Sequence, residues 1–119
     1  MEYFVENGLV YATDGKAVWY VGLAIFPEVV VITENPTVGN EVSFVIRLRD
    51  WQGNLVELPV DVGVRINDGQ EEVVRLDEDG KVEIVFVPQE TGKYAIRVRS
   101  VDIQYRVRGM REVILEVGE

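Results

Sequence analysis

The sequence contains no cysteine and no histidine. The first absence excludes a disulfide framework, a thiolate nucleophile and a cysteine-based zinc site. The second removes the commonest general base, the commonest metal ligand and the side chain that titrates near neutral pH. Long apolar runs are also missing. The most apolar stretch, Ala17 to Ile32, is broken by Pro27 and Glu28 and falls short of the ~20 residues a membrane helix needs. Met1-Glu2-Tyr3-Phe4 lacks the basic start and apolar core of a secretory signal. The expectation is synthesis in the cytoplasm without membrane insertion, with a final place in a virion or surface assembly left open. Lysine, asparagine and glutamine are sparse and arginine carries most of the positive charge, a balance that suits a thermophile's protein.

What is present points to strands. The chain has 119 residues, enough for one domain that buries roughly two-thirds of its unfolded surface. Hydrophobic residues make up 47% of it, with valine and isoleucine prominent. Their branched β-carbons favour a pleated surface over a helix. The formal net charge is −9. That excess keeps a domain dispersed and disfavours nucleic acid, which calls for a basic patch.

The turn signals divide the chain into short apolar segments. Asn7-Gly8 and Asp14-Gly15 are tight-hairpin signals, so Met1 to Phe26 reads as a three-stranded N-terminal β-meander. Gly22 to Pro27 closes it, with Pro27 suited to an edge or a crossing between sheets. Val29 to Ile32 is a short strand. Val42, Phe44, Ile46 and Leu48 alternate with Ser43, Val45, Arg47 and Arg49; Val60, Val62, Val64 and Ile66 form a second one-face row. Further strands fall at Glu71 to Leu76, Val82 to Val87, Lys93 to Arg99 and around Val113, Leu115 and Val117. Parity slips after Ser100: Val101, Ile103, Tyr105 and Val107 fall on the face opposite Tyr94 and Ile96, as a bulge would cause. Many short strands with regular turns and no capped helix predict an all-β sandwich. Its expected core is Val42, Phe44, Ile46, Val62, Val64, Ile84, Phe86, Tyr94, Ile96 and Val98.

Candidate chemistry is thin. Carboxylates abound, but they cluster in turns such as Asp77-Glu78-Asp79 or alternate outward on strands, as at Glu57, Asp61 and Glu83. A glycosidase pair would have to flank a cleft instead. Calcium in the Asp77–Asp79 or Asn67-Asp68 turn matches no EF-hand spacing. Ser43 and Ser100 lack a histidine partner, Lys93 stands beside no nucleophile, and no glycine-rich loop opens a helix. The expectation is no enzyme activity, no metal and no cofactor.

Contact residues are better represented. Arg47 and Arg49 alternate outward on one strand, and Arg97 and Arg99 on another. They read either as a basic stripe for an acidic partner or as charges offset by cross-strand glutamates such as Glu112 and Glu116. Trp51 lies in a polar loop, where it serves as an interface anchor or sugar platform, or folds back over the sandwich edge. Tyr3, Phe4, Trp19 and Tyr20 enrich the meander, and the alternation predicts that one of Trp19 and Tyr20 faces away from the core.

Several stretches resemble bacterial immunoglobulin-like and filamin-like repeats, as found in adhesins, surface proteins and phage structural proteins. They are Asn35-Pro36-Thr37-Val38-Gly39-Asn40-Glu41-Val42, Arg49-Asp50-Trp51-Gln52-Gly53-Asn54, Asp79-Gly80-Lys81-Val82, and Phe86-Val87-Pro88-Gln89-Glu90-Thr91-Gly92-Lys93-Tyr94. The resemblance covers Asn35 to Ser100. It implies an immunoglobulin-like sandwich over about residues 27–117, with Tyr94 placed as a tyrosine corner and no catalytic residues. The meander of residues 1–26 lies outside the usual repeat. The functional expectation is a non-enzymatic module working through protein–protein contact, with a protein partner or as a homo-oligomer, in a structural or surface assembly related to phage. A carbohydrate-binding module with Trp51 as its platform and a cell-surface adhesion spacer are the alternatives.

Overall fold

Valine and isoleucine rows at every second position set the architecture. The computed structural model describes residues 1–102 and 104–119, which form eleven strands and, among them, no helix. In chain order these are β1 (Glu2–Glu6), β2 (Leu9–Thr13), β3 (Val18–Leu23), β4 (Ile25–Val31), β5 (Val42–Asp50), β6 (Leu55–Val56), β7 (Asp61–Ile66), β8 (Glu72–Arg75), β9 (Lys81–Phe86), β10 (Gly92–Ser100) and β11 (Met110–Val117).

Strands β4 to β11 make a two-sheet sandwich. In one sheet β5 is central, pairing β4 along one edge and β9 and the short β6 along the other. The other sheet runs β11-β10-β7-β8, all antiparallel. The alternating rows supply the core between them: Val42, Phe44, Ile46 and Leu48 from β5, Val62 and Val64 from β7, Ile96 and Val98 from β10, and Leu115 and Val117 from β11 are buried. Ile84, Phe86 and Tyr94 pack on this cluster from its rim. Phe86 links Phe44 and Tyr94 through ring contacts at 6.2 and 5.9 Å.

Two stretches depart from the alternation. Strand β4 begins at Ile25 and carries Pro27 within it, buried and opposite Leu48, instead of starting at Val29. The edge position explains this, because a proline there leaves no ladder donor missing toward a neighbour. After Ser100 there is no continued strand with a bulge. Strand β10 ends at Ser100, and residues 101–109, apart from Ile103, which lies outside the described residues, form an irregular connection. The Ser100 hydroxyl donates to the Val107 carbonyl at 2.7 Å and accepts from the Asp102 amide at 3.3 Å, which turns the chain aside. Val107 then re-enters the core and is buried. Among the described residues of this connection, Val107 is the buried one.

Strands β1, β2 and β3 form a separate three-stranded antiparallel sheet. It lengthens the molecule to 58 × 25 × 23 Å, with a radius of gyration of 16.6 Å. A compact chain of this length would have a radius of roughly 13–14 Å. The excess reflects an arm standing off one pole of the sandwich.

Candidate contact surface: the N-terminal arm

The arm is shaped by its two hairpin turns. Asn7 and Gly8 both have positive φ, 54° and 79°, the pairing that matches strand twist in a two-residue hairpin. At the tip, the Asp14 carboxylate accepts from the amides of Lys16 and Ala17 at 2.9 and 3.0 Å. These bonds, the Lys16 one foremost, hold its pKa below the ordinary carboxylate value. The Thr13 hydroxyl donates to the Ala17 carbonyl at 2.7 Å and closes the loop.

Cross-strand register sorts the aromatic residues onto two faces. Phe4 lies opposite Tyr11, and Tyr11 opposite Tyr20, with ring centroids 5.4 and 6.2 Å apart. Tyr3, Ala12 and Trp19 line up on the other face. Val10 and Ala12, on the central strand, are buried, while the flanking strands stay open. Val18, Trp19 and Tyr20 are 60%, 44% and 61% exposed, and Tyr3, Phe4, Val5 and Val21 are also exposed. Trp19 and Tyr20 lie on opposite faces of the arm, and both are exposed, so not one of the two but both stay clear of the core.

The base of the arm is tied to the sandwich by close backbone contacts. The Ala24 amide donates to the Gly8 carbonyl at 2.9 Å, and the Trp51 amide to the Ala24 carbonyl at 3.0 Å. The Arg108 amide donates to the Ile25 carbonyl at 3.2 Å. Gly8 rests on the carbonyl of Arg106, where a β-carbon would overlap the oxygen. Asp50 accepts from the amides of Gln52 and Asn54 and so shapes the turn that presents Trp51. Trp51 is half-buried, and its ring lies 5.1 Å from that of Tyr3. It folds back against the first strand of the arm.

The arginine pairs take the charge-offset reading. Arg97 bonds Glu112 directly across the β10–β11 ladder at 2.6 Å, and Arg99 holds Glu71 through two bonds. On the opposite sheet Glu28 bridges Arg47 and Arg49 at 2.7 and 2.6 Å. Arg75 pairs with Asp61 at 3.2 Å. Arg97 and Arg99 therefore belong to a mixed-charge lattice and do not form a basic stripe, because each is matched by a carboxylate on a neighbouring segment. A shallow hollow of about 570 Å³ lies over this lattice, lined by Arg65, Glu71, Arg97, Arg99, Met110 and Glu112. Its two carboxylates are both held by guanidinium groups, so neither is positioned as an acid–base catalyst.

The acidic turns are occupied by their own backbones. Asp77 accepts from the amides of Asp79 and Lys81 at 2.9 and 3.0 Å. Asn67 exchanges bonds with Ala95, its side-chain oxygen accepting from the Ala95 amide at 2.8 Å. Among the described residues no group of three acids converges as a metal site. The Tyr94 hydroxyl donates to the Glu90 carbonyl at 3.0 Å and lies 3.3 Å from the Glu90 amide, closing the loop between β9 and β10.

Two antiparallel sheets in this order, joined across a valine-rich core, define an immunoglobulin-like sandwich. The family model described as the Filamin/ABP280 repeat matches residues 16–106, and the chain belongs to that family. Its repeats are immunoglobulin-like modules of protein–protein contact, typically non-enzymatic. Strands β1, β2 and β11 lie outside the matched residues. No curated protein matches the chain.

Proposed function

We propose that this chain is a non-catalytic contact module of a larger structural or surface assembly, and that it engages its neighbour through the N-terminal arm. The observation that carries this reading is the exposure of Tyr3, Val18, Trp19, Tyr20 and Val21 on a sheet standing clear of the sandwich. Large apolar patches on soluble domains mark contact sites, and aromatic residues dominate such contacts. The exposed ion pairs of the sandwich contribute little binding energy. The setting we infer is a phage or prophage structural assembly.

The cysteine-free sequence makes the test direct. Val18→Cys, carrying a short cross-linker, is placed in the native assembly beside a control at Val85 on β9. Both side chains are half or more exposed. The reading requires a specific protein adduct at residue 18 and none at residue 85. Equal labelling at both, or at neither, would refute it.

A further inference from the structure

We propose that the outer edge of β3 pairs antiparallel with β3 of a second copy, joining two arms into one six-stranded sheet. This rests on the reading of the arm as the contact surface and names its occupant.

The argument begins with the edges. Strand edges invite pairing, and proteins block them with charges, prolines or bulges. Among the described edge strands longer than two residues, β1 carries Glu2 and Glu6, β4 has Pro27 and Glu28, β8 has Glu72 and Arg75, β9 has Lys81 and Glu83, and β11 has Arg111, Glu112 and Glu116. Strand β3, Val-Trp-Tyr-Val-Gly-Leu, has neither charge nor proline. Its one irregularity is a register shift beside Val21, which leaves Val18 to Tyr20 regular.

Edge chemistry also selects the partner. An antiparallel β1–β1 pair centred on Phe4 would set Glu2 against Glu6 of the other copy, like charges directly opposed. A β1–β3 pair would press those glutamates beside Val18 to Val21 and leave open ends that propagate. A β3–β3 pair is two-fold, sets apolar against apolar, and leaves only the acidic β1 edges outside, so it closes as a dimer.

Global charge agrees. Two chains of net charge −9 repel. Strand β3 runs from the arm's tip to its base, so antiparallel pairing places the two sandwiches at opposite ends of the joined sheet. Six residues of strand span roughly 20 Å, well beyond the Debye length of about 8 Å at physiological salt.

The interface is small. Trp19 and Tyr20 leave on the order of 100 Å² exposed each, given the size of aromatic side chains. With the valines and the backbone ladder, the contact falls below the ~1,600 Å² of a standard interface. Dimerisation is therefore concentration-dependent.

Sedimentation velocity on the purified full chain, from micromolar to millimolar concentration, reads this directly. The mass should double with concentration. Val18→Lys combined with Tyr20→Lys should hold it at the monomer value with an unchanged circular dichroism spectrum, whereas Val5→Lys on the β1 edge should leave the dimer intact. Single cysteines at positions 18 to 21 add a readout of geometry: two-fold pairing sets one residue of β3 opposite itself, and that variant alone should cross-link to its own copy on oxidation. A monomer at every concentration, or a dimer lost with Val5→Lys and kept by the β3 double variant, overturns the proposal. If the pure chain is monomeric while Val18→Cys still captures a protein in the native assembly, self-pairing is wrong and the contact reading stands.

Discussion

Tyr3 and Trp51 stack at 5.1 Å with their rings tilted by 40°, tying the first strand of the arm to the turn between β5 and β6. The contact accounts for a tryptophan in an otherwise polar loop. It also predicts that Tyr3→Ala and Trp51→Ala are coupled. A double-mutant cycle read by hydrogen exchange in the arm should give about 0.5–1.5 kcal/mol beyond the single effects. Additive effects would mean that the backbone bonds at Ala24 position the arm alone.

Gly8 should be the most sensitive glycine of the arm. Its φ of 79° strains any other residue by about 1–2 kcal/mol, and a β-carbon would also overlap the Arg106 carbonyl. Gly15 has φ 90° but open space around it. Gly15→Ala should therefore show the conformational cost alone, while Gly8→Ala also loosens the base of the arm. Limited proteolysis near Ala24 should accelerate for Gly8→Ala only. Equal rates would place the effect in the turn and not in the docking.

Tyr94→Phe should cost about 0.5–1.5 kcal/mol in denaturant melts. A larger penalty is not expected, because the Glu90 backbone that the hydroxyl bonds is exposed and regains water when the bond is lost. A cost well above that range would reveal a group left dry by the change.

Acid should weaken the fold partly through Glu28. Burial pushes its carboxyl up, but bonds from Arg49 and then Arg47 outweigh this, leaving the pKa below its ordinary value of 4.5. A depressed folded pKa contributes stability that is present above the unfolded value and lost as pH falls through the folded one. Melting temperature should thus drop as pH falls below about 4.5, with a shallower slope for Glu28→Gln. An identical slope in the variant would assign the acid sensitivity to other carboxylates.

Much of the sandwich was legible because burial on one face of a strand enforces a period of two. Val42 to Leu48 and Val60 to Ile66 show that period in the sequence, and both rows line the core. Asn7-Gly8 was legible for a local reason, since positive φ at both positions selects those residues. The fate of residues 101–107 was not legible. The alternation mimics a strand, and the bonds that turn the chain aside, among them that of the Ser100 hydroxyl to the Val107 carbonyl and that of the Arg108 amide to the Ile25 carbonyl, exist only in the folded geometry. Trp51 was equally ambiguous, because its cover comes from Tyr3, far away in sequence. The arginine pairs needed register as well: Glu112 was foreseeable from strand alternation, but Glu71 and Glu28 reach Arg99 and the Arg47–Arg49 pair only through folded geometry.

The arm and the C-terminal residues sit at opposite poles, and this gives the domain a mechanical direction. The arm feeds β4 at one end, while Gly118 is fastened at the other by bonds to Pro36 and Val38, each 3.0 Å. Tension between the poles would run along β4 and β11. Their ladders to β5 and β10, from Ile25–Asp50 to Val31–Phe44 and from Arg99–Met110 to Gly92–Val117, lie parallel to that pull. Such ladders are loaded in shear, all bonds sharing the strain at once, and do not unzip pair by pair. Resistance to forced unfolding is set by the unfolding rate, so the domain should hold longest when stretched from arm to tail and yield sooner when peeled sideways at β8.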